Sequence, residues 1–336
     1  MATNNNIVCN LSQPNIVCDL SHMSLLEVSG ADALTFLQGQ VTNDVKLLTM
    51  GSQAHFSGYC NPKGRLLALF LAFYHQDHFH LQFNRELLAP IMKRLKMYVM
   101  RSKVEIKDVS ESIVKFGING PDAASILASH FTDIPSHIPS QDFELSNLEN
   151  AVILKLPSIG NDARFEVFTS VEHAPSIFSA LKEHCQLVEK PYWDWLEIQA
   201  GMPEVVAATQ EQFVPQMLNL DILNGINFKK GCYTGQEIVA RTHYLGSVKR
   251  RTYLAELTLT ELATKETPKA GDKVVDATQN EVGQIVRVAA NPENNSFSNR
   301  FDALIELRID AALAGNVSWN SNTIKIKELP YDIESK

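Results

Sequence analysis

The chain has 336 residues, 45% hydrophobic and 20% charged, with a formal net charge of −8 at pH 7. That length exceeds one ordinary hydrophobic core, so two or three domains are expected, and the composition excludes wholesale disorder. Net acidity opposes broad, non-specific phosphate binding, and no apolar run reaches the ~18 residues needed to span a bilayer.

The start, Met1-Ala-Thr-Asn-Asn-Asn6, lacks the basic region of a signal peptide, so a cytoplasmic location without membrane contact is expected. Cys9, Cys18, Cys60, Cys185 and Cys232 are odd in number and never spaced as C-x-x-C. Reduced thiols follow, with neither a disulfide framework nor a metal site.

The first 21 residues carry a short duplication, Asn6-Ile-Val-Cys-Asn-Leu-Ser12 and Asn15-Ile-Val-Cys-Asp-Leu-Ser21, read as tail plus first strand. Ser29-Gly-Ala-Asp32 gives a capping-box-like start to a short amphipathic helix ending near Gly39. From Gln53 the pattern alternates to Tyr59, turns at Asn61-Pro-Lys-Gly64, and resumes over Leu66–Tyr74 and His78–Phe83, which predicts two hairpins. Leu87, Leu88, Ile91 and Leu95 recur at helical spacing, so residues 85–98 are expected to lie as a helix on those strands, with Val104–Val109 completing an α+β unit. A strand over Ile113–Ile118, a helix near 122–129, strands near 151–156 and 164–169, and helices near 173–184 and 192–200 make a mixed α/β portion. After Ser247, five short strands separated by turn residues predict a C-terminal β-barrel, with Asn291–Asn299 as an exposed loop.

The densest chemistry lies at Lys229-Lys-Gly-Cys-Tyr-Thr-Gly-Gln-Glu-Ile-Val-Ala-Arg-Thr-His243. Gly231 and Gly235 allow a tight turn that displays Cys232 and Tyr233. Lys229, Lys230, Arg241 and His243 favour a thiolate or an anionic ligand if they point inward. A glycine-rich connector with a structural cysteine is the alternative. Tyr233 either stacks on a flat ring or anchors the turn, while Gln236 and Glu237 support the loop. Trp193 and Trp195 begin a helix on different faces, so one can line a cavity while the other packs. His75-Gln-Asp-His-Phe-His80 lacks an apparent third ligand and reads as a solvated hairpin end. Lys249-Arg250-Arg251 is either a contact patch or a solvated strand end.

Three strings in order, Gly30-Ala-Asp32 with Leu37-Gln-Gly-Gln-Val-Thr-Asn-Asp44, Ile198-Gln-Ala-Gly-Met-Pro203, and Lys230-Gly-Cys-Tyr-Thr-Gly-Gln-Glu237, together with Phe213-Val-Pro-Gln216, closely resemble the YgfZ family. Its members are folate-binding relatives of the glycine-cleavage T-protein (aminomethyltransferase) superfamily. The resemblance implies an α+β, three-domain GcvT-like fold around a central cavity for a folate or tetrahydrofolate derivative. The implied domains are residues 1–50 with 110–245 (a discontinuous folate-binding unit carrying the Cys232 loop), 51–109 (ferredoxin-like) and 246–336 (the barrel). It also implies support of iron–sulfur enzymes that methylthiolate tRNA, with direct contact to nucleic acid left open.

By the same resemblance, Trp193, Gln199, Lys230, Tyr233 and Arg241 are expected at the folate, and Cys232 is the candidate reactive thiol. A second family tryptophan corresponds to Met23. The T-protein acidic pair corresponds to Leu67 and Ala68, which removes the natural agent for proton handling at the folate nitrogen and argues against aminomethyl transfer. A folate-dependent one-carbon transferase and an RNA- or protein-binding module are the competing readings.

Overall fold

In a computed structural model of the chain, residues 15–131, 138–259, 266–292 and 299–333 are described. The first copy of the duplication and most of the Asn291–Asn299 loop lie outside them. In chain order the first part holds β1 (Ile16–Asp19), β2 (Met23–Ser29), α1 (Ala33–Gln38), β3 (His55–Cys60), β4 (Leu66–His75), β5 (His78–Asn84), α2 (Leu88–Val99) and β6 (Glu105–Asp108). The middle holds β7 (Ile113–Gly120), α3 (Ala123–His130), β8 (Leu145–Asn147), β9 (Ala151–Ile159), β10 (Asp162–Ser170), α4 (Ala174–His184), β11 (Gln186–Val188), α5 (Lys190–Gln199) and α6 (Gln236–Tyr244). The last part holds β12 (Arg250–Thr258), β13 (Lys273–Asp276), β14 (Glu281–Ala290), β15 (Arg300–Arg308), α7 (Ile309–Ala314), β16 (Val317–Trp319) and β17 (Asn322–Lys327).

Three sheets organise these elements: a six-stranded sheet β11-β1-β7-β10-β9-β8, a five-stranded sheet β3-β4-β5-β2-β6, and a closed barrel β12-β15-β14-β13-β16-β17. The barrel closes through β16, three residues whose signal is too short to read from sequence. The expected division at residue 50 needs correction. β2 pairs antiparallel with β5 and β6, so residues 23–29 belong with the five-stranded sheet although β1, four residues earlier, lies in the other. The first chain crossing between sheets therefore comes at the turn Leu20–His22.

Alternation within each strand decides which core it serves. In β10, Phe165 and Val167 pack under α3 and α4, while Phe168 turns inward to meet Phe73 of β4 at 4.8 Å between ring centroids. β4 is buried along its first eight residues because α2 covers the sheet on one side and the six-stranded sheet and α5 close over the other. Asp32 does not cap α1 through its side chain; its carboxylate instead accepts from the Lys103 backbone N–H at 2.7 Å. Asn291 is buried rather than exposed, with its Nδ2 donating to Asp302 at 2.8 Å.

The Lys249-Arg250-Arg251 cluster is not a free cationic patch. Arg250 donates to both oxygens of Glu306, and Arg251 is buried in a two-pronged pair with Asp221 at 2.6 and 2.9 Å. Such fork geometry uses the guanidinium fully and joins the barrel to the preceding segment.

Candidate functional site

Helix α5 projects Trp193 and Glu197 from one side, since residues four apart share a helix face. Trp193 is 2% exposed and lies on the backbone of Gly117 in β7, where an added Cβ would stand 2.5 Å from the indole ring carbons. Only glycine leaves room for that ring. The Arg164 guanidinium, fully buried on β10, sits 5.4 Å from the indole centroid and donates to Glu197 Oε1 at 2.7 Å. From the barrel, Arg287 of β14 donates to Asp194 at 2.8 Å and Glu197 Oε2 at 3.4 Å and lies 4.0 Å from Glu204. Burial would raise the Asp194 carboxyl, but Arg287 and Lys190 outweigh it and hold the group below the usual range. The six-stranded sheet and the barrel thus meet on one helix through charge.

A cavity of about 50 Å³ opens beside this network, bounded by Met23, Leu69, Leu71, Gln82, Glu166, Trp193, Glu197 and Arg287. On its lining residues, Gln82 Oε1, Glu166 Oε2, Arg287 Nε and His22 Nε2 are buried without hydrogen-bond partners. Native interiors leave few such atoms, so this convergence marks a place suited to a polar ligand. Burial, with the Glu197 charge behind it, pushes the Glu166 carboxyl up to about 8. At neutral pH it is protonated and can donate as well as accept. The volume holds a water or two, so a flat ring enters only if a flexible wall such as Met23 moves aside.

The structure therefore brings Trp193 and Met23 to one cavity and leaves Gln199 elsewhere. Gln199 faces the C-terminal strand β17, lining a surface groove with Leu254 and Lys327. The acid directed at the cavity is Glu197, two residues earlier, because helical pitch sets positions 193 and 197 together and 199 apart. Leu67 and Ala68 are buried, with Leu67 at an irregularity of the β3–β4 pairing, and no carboxylate from β4 lines the cavity.

The Cys232 loop docks onto the Asn61–Gly64 turn. Gly235 has φ +85°, and a Cβ there would stand 2.5 Å from the Asn61 carbonyl oxygen and 2.9 Å from Gly64 Cα. Gly235→Ala is expected to cost about 2–3 kcal/mol through clash and left-handed strain, read as a lower urea midpoint and faster proteolysis near the loop. Lys230 is buried; its Nζ donates to the Val41 and Asn43 carbonyls at 2.6 and 2.7 Å and lies 5.3 Å from the Tyr233 ring centroid. Burial, against a smaller pull from Asp44, lowers Lys230 to about 8. Its ammonium therefore serves the backbone, not the thiol.

Tyr233 is buried as an anchor, and burial raises its hydroxyl. Cys232, Arg241 and Glu237 are exposed, Gln236 is half-buried at the start of α6, and none of the loop's side chains lines the Trp193 cavity. Lys230, Tyr233 and Arg241, expected at the folate together with Trp193, thus stand apart from the Trp193 cavity. The loop is a surface display of a thiol, held by glycine contacts and a buried lysine.

The His75–His80 hairpin end is also not simply solvated. His80 is 7% exposed and stacks on Phe73, and with His75, His78 and His173 it borders a cleft of about 200 Å³. Among the described residues no cluster of His, Cys, Asp or Glu is arranged to hold a metal. No helix there is long and apolar enough to cross a membrane.

Sequence reading missed Arg164, Glu166, Gln82, Glu197 and Arg287. One signal was available: Arg164 and Glu166 alternate with Phe165 and Val167, which resembles a solvent-facing strand edge. That face is turned inward, and α5 covers it.

The GCVT N-terminal domain model matches residues 9–223. A tRNA-modifying protein YgfZ from Enterobacter sp. (strain 638) is 33% identical over 332 residues, covering 96% of this chain and 94% of that protein. One from Yersinia pestis (strain Pestoides F) is 35% identical over 242 residues, 71% of this chain and 70% of that protein. Among solved structures, the glycine cleavage system aminomethyltransferase T from Bartonella henselae aligns with a TM-score of 0.72 over 95% of this chain and 86% of that one, at 17% identity. At that identity the likeness establishes the fold: GcvT-like sheets followed by a β-barrel.

Proposed function

We propose, from the premise that this chain belongs to the YgfZ family of tRNA-modifying proteins within the GCVT superfamily, that it acts in tRNA modification as a folate-binding accessory protein for iron–sulfur enzymes. The observation that carries the folate half is the set of unpartnered polar atoms, above all Gln82 Oε1 and Glu166 Oε2, around the Trp193–Met23 cavity. A protonated carboxyl beside an amide offers both donors and acceptors to the polar edge of a pterin, and Trp193 and Met23 offer apolar surface to its ring. Folate fits that chemistry, provided Met23 yields space.

Aminomethyl transfer is the weaker reading, since Leu67 and Ala68 supply no acid at the family position. The exposed Cys232, held out on a rigid turn, suits an encounter with another protein better than attack on a ligand inside the cavity. An exposed thiol of this kind can attack a partner's disulfide, expelling one of its sulfurs as thiolate, or ligate the iron of a partner's cluster.

Two measurements test the reading. Equilibrium dialysis with tetrahydrofolate is expected to show saturable binding that Gln82→Leu weakens about tenfold, the effect of losing one buried polar contact of about 1.4 kcal/mol. Absence of saturable binding sinks the folate half. In a strain lacking this protein, tRNA methylthiolation should fall and be restored by wild type but not by Cys232→Ala; full restoration by that variant removes the thiol from the role.

A further inference from the structure

One surface stands apart from both the cavity and the thiol loop. Segment 93–103, Lys-Arg-Leu-Lys-Met-Tyr-Val-Met-Arg-Ser-Lys, holds five cations and no acid in a chain of net charge −8. It forms the second half of α2 and the turn after it. Ile91 and Leu95 are buried against the five-stranded sheet, with Leu88 packed beside them, so the helix has already committed its apolar stripe to the core. Lys93, Lys96, Met97 and Met100 recur at i, i+3, i+4 and i+7 and therefore share the opposite, outward face. Met97 is 69% and Met100 87% exposed, and Arg101 and Lys103 continue the exposed line past the helix end.

Among the described residues, Lys93, Lys96, Arg101 and Lys103 have no ion-pair partner, while Arg94 turns its guanidinium over Tyr98 at 5.8 Å. Like charges three and four residues apart weaken a helix by a few tenths of a kcal/mol per pair. Lys93 and Lys96 form such a pair on this face, and an anion that meets them relieves it. Two acids stand near the end of this line: Asp32 accepts from the Lys103 backbone N–H, and Glu105 pairs with Lys107.

We propose that this face of α2 binds RNA through its phosphate backbone, which would seat the tRNA on the protein; the choice of RNA rests on the reading under Proposed function. From Lys93 to the end of α2 at Val99 the line rises about 9 Å, and Arg101 and Lys103 extend it into the turn beyond, so more than one phosphate of a strand lies within its reach. Tyr98, 42% exposed beside the cations, offers a ring on which an unpaired base can stack. A membrane surface is the less suitable anion. Interfacial helices insert an apolar face between lipids, whereas the apolar face of α2 is buried in the protein and only Met97, Met100 and Tyr98 remain outside. The Lys249-Arg250-Arg251 cluster does not compete for the role, since its two arginines are committed to Glu306 and Asp221.

The test is fluorescence anisotropy of the full chain with a labelled, unmodified tRNA transcript at 50 to 200 mM salt. Wild type is expected to bind with a salt-dependent affinity. The reversed variant Lys93→Glu/Lys96→Glu/Arg101→Glu should bind at least tenfold more weakly, with a slope of log affinity against log salt flatter by about 2–3, as for three lost phosphate contacts. The neutral variant Lys93→Gln/Lys96→Gln/Arg101→Gln should fall between, and the charge-preserving Lys93→Arg/Lys96→Arg/Arg101→Lys should match wild type. Tetrahydrofolate binding by the reversed variant should be unchanged, which separates failure of this surface from failure of the folate reading. No salt-dependent binding by wild type, equal binding by the reversed variant, or binding to phosphatidylglycerol vesicles without binding to the transcript would each overturn the proposal.

Discussion

Arg287→Ala is expected to lower the unfolding free energy by about 3–5 kcal/mol, because it strips a buried cation from carboxylates that stay behind. Arg287 is 8% exposed, and its guanidinium stands within ion-pair distance of Asp194, Glu197 and Glu204. Burial works against its charge, yet those carboxylates hold it above its ordinary value, so it stays cationic at any accessible pH. Removing it leaves Arg164 to balance Glu197 and Lys190 to balance Asp194, with Glu204 left without its nearest cation. Because Arg287 belongs to the barrel and its partners to α5 and the segment after it, the loss should also divide the transition. Unfolding followed at Trp319, inside the barrel, should separate from unfolding followed at Trp193. Arg287→Lys should recover only part of the loss, since one ammonium cannot meet several carboxylates with a planar fork. A urea midpoint shift worth less than about 1 kcal/mol would mean that packing of Trp195 and its hydrogen bond to Asp302 hold the barrel without the network.

Elements with strong period were legible in the sequence, and chemistry that depends on which way a face turns was not. The helix over residues 88–99 and most barrel strands stand close to their expected ranges because their apolar residues repeat over several turns or pleats. β8, β11 and β16, three residues each, carry too few side chains to show a period. The Cys232 loop was legible as a tight turn, but its neighbours gave no means to tell that Lys230 reaches 187 and 189 residues back to two carbonyls. Arg241 and Lys230 are near Cys232 in sequence, and only one of them is buried. The cavity acids show the same limit. Glu166 sits in a strand whose alternation fits water on one side; α5, more than twenty residues later, supplies the cover that makes it an interior group.

That cover gives Glu166 a measurable pH signature. Its carboxyl is pushed up to about 8 from the 4.5 of an ordinary glutamate by burial and by Glu197, against smaller opposing contributions from Gln82, Arg164 and Lys115. Below pH 4.5 the group is protonated folded or unfolded and takes nothing from stability. As pH rises toward 8 the unfolded chain releases the proton while the folded chain keeps it, so native stability declines across that window and levels off above it. Glu166→Gln keeps the size and the neutral donor–acceptor character but cannot ionise. The variant should therefore match wild type near pH 4.5 and exceed it progressively to pH 8, by on the order of 3–5 kcal/mol at full extent. Urea unfolding of both proteins across pH 4.5–8.5 measures this, and other titrating groups cancel in the difference. Parallel curves would show that Glu166 ionises normally in the fold. The same substitution bears on the ligand: if the neutral carboxyl is what meets the pterin edge, tetrahydrofolate affinity of wild type should drop above pH 8 while that of Glu166→Gln holds, which ties the stability cost of a buried acid to the recognition it provides.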